Sequence, residues 1–344
     1  MTHNALPYIS IQPNRITTYY QKDVTQPTNS TQNQQNQQPK NNNTGRELSA
    51  KAQKRLKSKI QWLLTFSKPK RIYNDYTNRF FTFNINFITL TLPTPQAHHD
   101  TTIKSKALNQ FITELRKTFK VENYVWRAEA QRNGNIHFHF VTDTYLPWFV
   151  IRRIWNRQLK KLGYIERYHQ KFSGMSWQDY QEYSQKIGVK DLSTIKKRFD
   201  YGNKTNWKDP NTTDIHSIQK IKNIGAYLAK YMAKGGQSKS KDGRYNLQCR
   251  RIKGRLWGCS ASLSKCKSII DLRDSTFNAL MDAAAAVKNA FVLQENYFTF
   301  IGVDFKRLGA KWVQYINKLF LDYKAAIGYH SGGIPNKQYQ YKPT

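Results

Sequence analysis

The chain has 344 residues, 39% of them hydrophobic, and 56 Lys and Arg against 22 Asp and Glu give a formal charge of +34. That excess is far beyond what solubility requires and points to a polyanionic partner bound with steep salt dependence. A membrane surface is the competing anion, yet no segment approaches about eighteen uninterrupted apolar residues and no signal peptide opens the sequence, so a soluble, intracellular protein is expected. Cys249, Cys259 and Cys266 are odd in number and lack close paired spacing, which disfavours a disulfide framework or a four-ligand zinc site and reads as reduced thiols.

In chain order, residues 1–45 are rich in Asn, Gln, Thr and Pro, as in Gln32–Gln38, with too little apolar surface to offset the entropy of ordering. Disorder is expected there. Residues 46–79 form a basic, partly helical arm in which Leu56, Ile60, Leu63 and Leu64 recur at helical spacing among Lys51, Lys54, Arg55, Lys57 and Lys59. It reads as a DNA-binding arm, a capping helix or simply solvated charge.

From residue 80 to about 267 strands and helices alternate. Phe80–Leu92 reads as a first strand, and 104–119 as a helix with Leu108, Phe111, Ile112 and Leu115 on one side. Tyr124–Glu129 and Asn135–Val141 read as the two strands of a hairpin. Pro147 opens a second helix through Ile151, Ile154, Trp155 and Leu159. Residues 164–211 are a long insertion in which Tyr168, Trp177, Tyr180, Tyr183, Phe199, Tyr201 and Trp207 stand among lysines, suited either to base stacking or to a small helical core. Thr213–Ile218 is a further strand, and its His216 reads as a structural residue or an extra ligand. Such alternation is that of an α+β, ferredoxin-like split β-α-β sandwich, with an antiparallel sheet, helices on one face and a site on the other. The tail from about 268 reads as a helical region, through 277–292 and 305–326.

The hairpin carries the chemistry. Alternate side chains of a strand point to opposite faces, so His137 and His139 share one face while Ile136, Phe138 and Phe140 point into a core. Two neutral imidazoles so placed can hold one divalent ion, although surface histidines on an edge strand would read the same way. The turn decides whether a carboxylate joins them. A three-residue loop with Gly134 in the left-handed conformation pairs Gln131 with Asn135 and Glu129 with His137; a two-residue Asn133-Gly134 turn sends Glu129 to the opposite face. Two nitrogens and one oxygen with positions left open suit Mg or Mn acting on a phosphate.

Downstream, Ile224–Lys234 is a run of good helix formers ended by Gly235-Gly236. Tyr227 and Tyr231, four apart, share a face, with Lys230 and Lys234 close by. A phenol beside an ammonium and a polarised phosphate is a candidate nucleophile, and half-buried packing tyrosines are the alternative. Arg250, Arg251, Lys253 and Arg255 form a cationic strip that suits contact with a DNA backbone. No phosphate-binding loop of an attached helicase is found; Gly202-Asn203-Lys204-Thr205 lacks the upstream glycine.

Together these residues resemble the rolling-circle replication initiators of the HUH endonuclease superfamily. His137-Phe138-His139 is similar to the family's His-hydrophobic-His motif, Glu129 sits where many members carry the third metal ligand, and Phe87–Leu92 resembles its first motif. Tyr227-Leu228-Ala229-Lys230-Tyr231 resembles both the single-tyrosine pattern, through Tyr227 and Lys230, and the two-tyrosine pattern, through Tyr227 and Tyr231. The resemblance covers about residues 80–265 and implies a ferredoxin-like or RRM-like HUH fold, a divalent metal, and nicking of single-stranded or hairpin origin DNA. It further implies a 5′-phosphotyrosine and a free 3′-hydroxyl that primes synthesis, with helicase and polymerase supplied by the host. Relaxases and transposases share this chemistry. A non-catalytic basic nucleic-acid-binding protein would explain the charge alone.

Overall fold

Among residues 1–45, two stretches rich in β-branched and aromatic residues are set off from the Asn/Gln tract: Leu6–Gln12 (β1) and Arg15–Gln21 (β2). The computed structural model describes residues 6–12, 15–21, 48–74, 77–131, 133–217, 250–266, 291–295 and 298–302. The chain divides into two units. In one, β1 and β2 pair antiparallel and join a second hairpin of β10 (Phe291–Glu295) and β11 (Phe298–Gly302), in the order β1-β2-β11-β10. Two expectations are corrected here. Average composition hides two strand-forming runs in the segment expected to be disordered. Likewise Phe291 and Val292, expected to end an alanine-rich helix, belong to the strand-forming run Phe291-Val292-Leu293.

The other unit begins with α1 (Ala50–Phe66), whose first turn is capped by Ser49 Oγ accepting from the Ala52 amide at 3.2 Å. Leu56, Ile60 and Leu63 are buried along with Trp62 and Phe66, so the basic arm is a packed helix with Lys51, Lys54, Arg55 and Lys57 outward. Lys70–Asn74 (β3) and Arg79–Phe83 (β4) form a separate two-stranded hairpin. The single strand expected over Phe80–Leu92 is therefore two strands, β4 and then β5 (Asn86–Leu90). A thirteen-residue strand would span about 43 Å, whereas the strand β5 pairs with is only seven residues long.

The main sheet follows. A continuous helix runs from α2 (Asp100–Ile103) through one π-helical turn (Lys104–Leu108) into α3 (Asn109–Phe119), which Lys120 ends in the left-handed conformation at φ 54°. Then come β6 (Tyr124–Ala130), β7 (Ile136–Thr142), α4 (Trp148–Lys160) and β8 (Thr213–Ser217), with β9 (Trp257–Cys259) added at the β6 edge. The order is β8-β5-β7-β6-β9, with every pair antiparallel. The first four strands of this motif thus lie fourth-first-third-second, the split β-α-β order. Leu108, Phe111 and Leu115 from the first helix, with Ile151, Ile154, Trp155 and Leu159 from α4, bury one face against Ile88, Leu90, Ile136, Phe138 and Phe140. Phe138 meets Trp155 edge-on at a centroid distance of 6.0 Å.

The insertion folds as α5 (Tyr164–Phe172), α6 (Trp177–Lys186) and α7 (Leu192–Lys204). Phe172, Tyr180, Ile195 and Trp207 are its core, with Tyr168, Trp177, Tyr183 and Phe199 packed around them. Most of its aromatics therefore pack on one another. Gly202 lies against Trp207, where an added Cβ would stand 2.4 Å from the indole. Gly202–Lys204 ends a helix, which is not a phosphate-cradling loop. Among the described residues no helix is long and apolar enough to cross a membrane.

Candidate metal centre

Parity along two short strands sets this site. Gly134 adopts φ +82°, its amide donates to the Gln131 carbonyl at 2.9 Å, and the Gln131 amide donates to the Asn135 carbonyl at 2.8 Å. This is the three-residue bulged turn. The register that follows sets Glu129 opposite His137 and Arg127 opposite His139, while β5 places Thr89 beside His139. All five side chains therefore project from the sheet face away from α3 and α4.

The donor atoms converge tightly. Glu129 Oε1 lies 2.9 Å from His137 Nε2 and 2.8 Å from His139 Nε2, and the two nitrogens are 3.0 Å apart. Around a divalent ion with bonds of about 2.1 Å, neighbouring octahedral ligands stand about 3.0 Å apart and tetrahedral ones about 3.4 Å. The triangle matches one facet of a six-coordinate ion. Its donor set of two imidazoles and a carboxylate suits such a cation, and among the described residues this is the one group of three with that potential.

The surroundings fix two of the three groups, His139 and Glu129, in usable states. His139 stacks on Phe87 at 5.3 Å and 19°. With the proton on Nδ1 it donates to Thr89 Oγ1 across 3.2 Å, which leaves the Nε2 lone pair facing the triangle. Burial pushes the His139 imidazole below its ordinary value, although hydrogen bonding and charge from Glu129 pull the other way, so the neutral ligand form is favoured. Burial opposes ionisation of Glu129, yet in the absence of a bound ion its contacts with His137 and His139 and the nearby Arg127 guanidinium hold its carboxyl well below the usual range. Arg127 Nη2 reaches the second carboxylate oxygen at 3.2 Å, so Oε1 is left for the imidazoles.

Arg127 and Thr89 are thus part of the centre although sequence reasoning did not single them out. Alternation from Glu129 would have found Arg127; Thr89 needs the β5–β7 register. His216 takes the register position opposite Phe87 in β8.

The cationic strip is not one uniform surface. Arg250 donates from Nη1 and Nη2 to the two oxygens of Asp100 at 2.8 and 2.6 Å, from Nη2 to Gln96 Oε1 at 2.8 Å and from Nε to the Gly134 carbonyl at 2.5 Å. It is a clamp on the tip of the metal hairpin and not a cation held open for phosphate. Arg251, Lys253 and Arg255 are exposed. Tyr227, Lys230, Tyr231, Lys234 and Cys249 lie outside the described residues; Cys259 is a free thiol, and the buried Cys266 Sγ donates to the Ser262 carbonyl at 3.6 Å.

Residues 85–236 match the model of a family of replication-associated proteins, the ORF2 type. The matched region contains the whole triad and the Tyr227–Lys234 motif, and it supports a replication-associated role. No curated protein sequence and no solved structure matches the chain.

Proposed function

We propose that this chain is a rolling-circle replication initiator of the HUH type, which nicks and rejoins single-stranded origin DNA. The observation that carries the reading is the convergence of Glu129, His137 and His139 within 3.0 Å of one another, inside a region matching a replication-associated family. A divalent ion, Mg or Mn, held by these three residues would polarise the scissile phosphate and offset the charge growing on its oxygens.

The chain's own groups do the rest. Arg127 and Thr89 hold Glu129 and His139 in orientation. The Tyr227 oxygen, having lost its proton, attacks the phosphorus in line; a tyrosine O–P bond forms, the P–O3′ bond breaks, and the departing 3′-oxygen takes up a proton. The products are a 5′-phosphotyrosine and a 3′-hydroxyl that primes synthesis. Attack of a 3′-hydroxyl on the phosphotyrosine reverses the step and rejoins the strand. Lys230 steadies the phenolate or phosphate, and Tyr231 is a second nucleophile that allows successive rounds. Lys234, Arg251, Lys253 and Arg255 hold the DNA backbone.

The test is mass spectrometry of the full chain incubated with Mn and single-stranded oligonucleotides tiled across the element that encodes it. A nucleotide adduct on Tyr227 or Tyr231, lost in the Tyr227→Phe/Tyr231→Phe variant, supports the reading. Cleavage that persists in that double variant refutes it. DNA binding without cleavage or adduct in any tile leaves a non-catalytic binding protein.

A further inference from the structure

On the helix side of the sheet, α4 and α7 border a groove of about 580 Å³. Arg152, Arg153, Lys160, Lys204 and Lys208 line it, with Arg157 turned to an ion pair with Glu114, against Asp209 as its one acidic lining residue. Asp209 is itself engaged, accepting from Asn156 Nδ2 at 2.7 Å and from the Tyr201 hydroxyl. Two lining aromatics stand apart from the cores: Trp148 is 49% exposed and Tyr201 42%. The Arg152 guanidinium lies 4.7 Å from the Trp148 ring centroid, the arrangement in which a cation and an indole together present a stacking platform. Phe172, Tyr180 and Trp207 of the same insertion are fully engaged in their own cluster, so Trp148 and Tyr201 are not needed to build it.

We propose that this groove is a second nucleic-acid site, which binds single-stranded DNA with phosphates on Arg153, Lys160 and Lys208 and bases stacked on Trp148 and Tyr201. Position makes it distinct from the metal centre. The buried side of α4 packs Trp155 on Phe138, whose side chain points to the opposite sheet face from those of His137 and His139. The groove also abuts the start of β8, because Asn156 donates to the Pro210 carbonyl at 3.0 Å and accepts from Thr212 Oγ1 at 2.5 Å. A strand seated here lengthens the DNA footprint around the β8 edge. The site requires neither metal nor tyrosine chemistry, so it stands independently of the nicking reaction.

The test uses the full chain in EDTA with a fifteen-residue oligothymidylate carrying 5-iododeoxyuridine, a probe that reports binding whether or not the protein nicks. Irradiation and peptide mass spectrometry are expected to place adducts on Trp148 or Tyr201. In Arg153→Gln/Lys160→Gln/Lys208→Gln, loss of three phosphate contacts should make the slope of log K against log salt shallower by about 2 and weaken binding at least about 10-fold near physiological salt. Trp148→Ala should weaken binding roughly 5- to 100-fold. These side chains lie at the surface, and unchanged thermal melting of each variant checks the fold. Adducts confined to other peptides, or an unchanged salt slope in the triple variant, overturn the proposal. Loss of heparin binding in the triple variant with no effect of Trp148→Ala on the oligonucleotide also overturns it, in favour of a generic polyanion surface.

Discussion

Replacing Asp100 with Asn tests how residues 250–254 are tied to the metal hairpin. The Asp100 side chain is 2% exposed and accepts both Arg250 nitrogens, Gln96 Nε2 at 2.9 Å and the Lys253 amide at 2.8 Å. Bonds to an ionised acceptor contribute about 1.5–3 kcal/mol each, but they are not additive, Asn keeps one acceptor oxygen, and Arg250, 36% exposed, regains water. A net loss of about 3 kcal/mol is expected, at the low end for breaking a buried ion pair. For a unit of this size that lowers the melting temperature by about 6–12 °C.

The pH dependence supplies a second, independent readout. Burial opposes ionisation of Asp100, while Arg250, Gln96 and Lys253 outweigh it and hold the carboxyl below its ordinary value of 3.8. A depressed carboxyl contributes stability that is fully present above the unfolded value and is lost as pH falls through the folded one. Urea unfolding between pH 2 and 7 should therefore show an acid limb below about pH 4 in the wild type that flattens in Asp100→Asn. A variant within about 0.5 kcal/mol of wild type, with the same acid limb, would refute the reasoning.

Other perturbations address the centre and the insertion. Thr89→Val removes the acceptor that fixes the His139 tautomer, so Mn affinity by calorimetry should fall about 10- to 100-fold and recover in Thr89→Ser; unchanged affinity would show that Thr89 does not orient the ring. Mn at about a hundred times its dissociation constant should stabilise the wild type by about 2.7 kcal/mol, a melting shift absent from His137→Ala/His139→Ala. Gly202→Ala drives a Cβ into the Trp207 indole and should destabilise by about 1–3 kcal/mol in thermal melts while sparing Mn affinity.

How much of this was legible depended on how far apart in sequence the causes lie. The hairpin is local: Asn133-Gly134 between alternating strands restricts the turn to two types, and one structural fact, Gly134 at φ +82°, selects the register that brings Glu129 to the imidazoles. The helices over Leu108–Leu115 and Ile151–Leu159 are equally local, since periodicity alone defines their buried faces. Thr89 is fifty residues from His139, and only the pairing of β5 with β7 joins them. The break between β4 and β5 depends on the partner's length, and the Arg250 clamp on a contact with Asp100 across 150 residues. Neither leaves a periodic mark in the chain.

Chain connectivity and burial together narrow which phenols can serve the proposed reaction. Tyr124 stacks on Phe140 at 5.4 Å on the core side of the sheet. Tyr168 and Tyr180 belong to the insertion's aromatic cluster. Burial pushes the phenols of all three upward, away from what a nucleophile needs. By contrast, β8 leaves the sheet at Ser217 opposite Asn86, two strand spacings and three residue rises from His139, a separation of about 14 Å. Tyr227 follows ten residues later, a tether that spans about 15 Å even if wholly helical and about 33 Å if extended. The same segment returns at Arg250, fixed to the Gly134 carbonyl at the tip of the metal hairpin. Both ends are thus anchored around the triad's sheet, within reach for Tyr227, whereas Tyr124, Tyr168 and Tyr180 are held in apolar packing that the reaction would have to break.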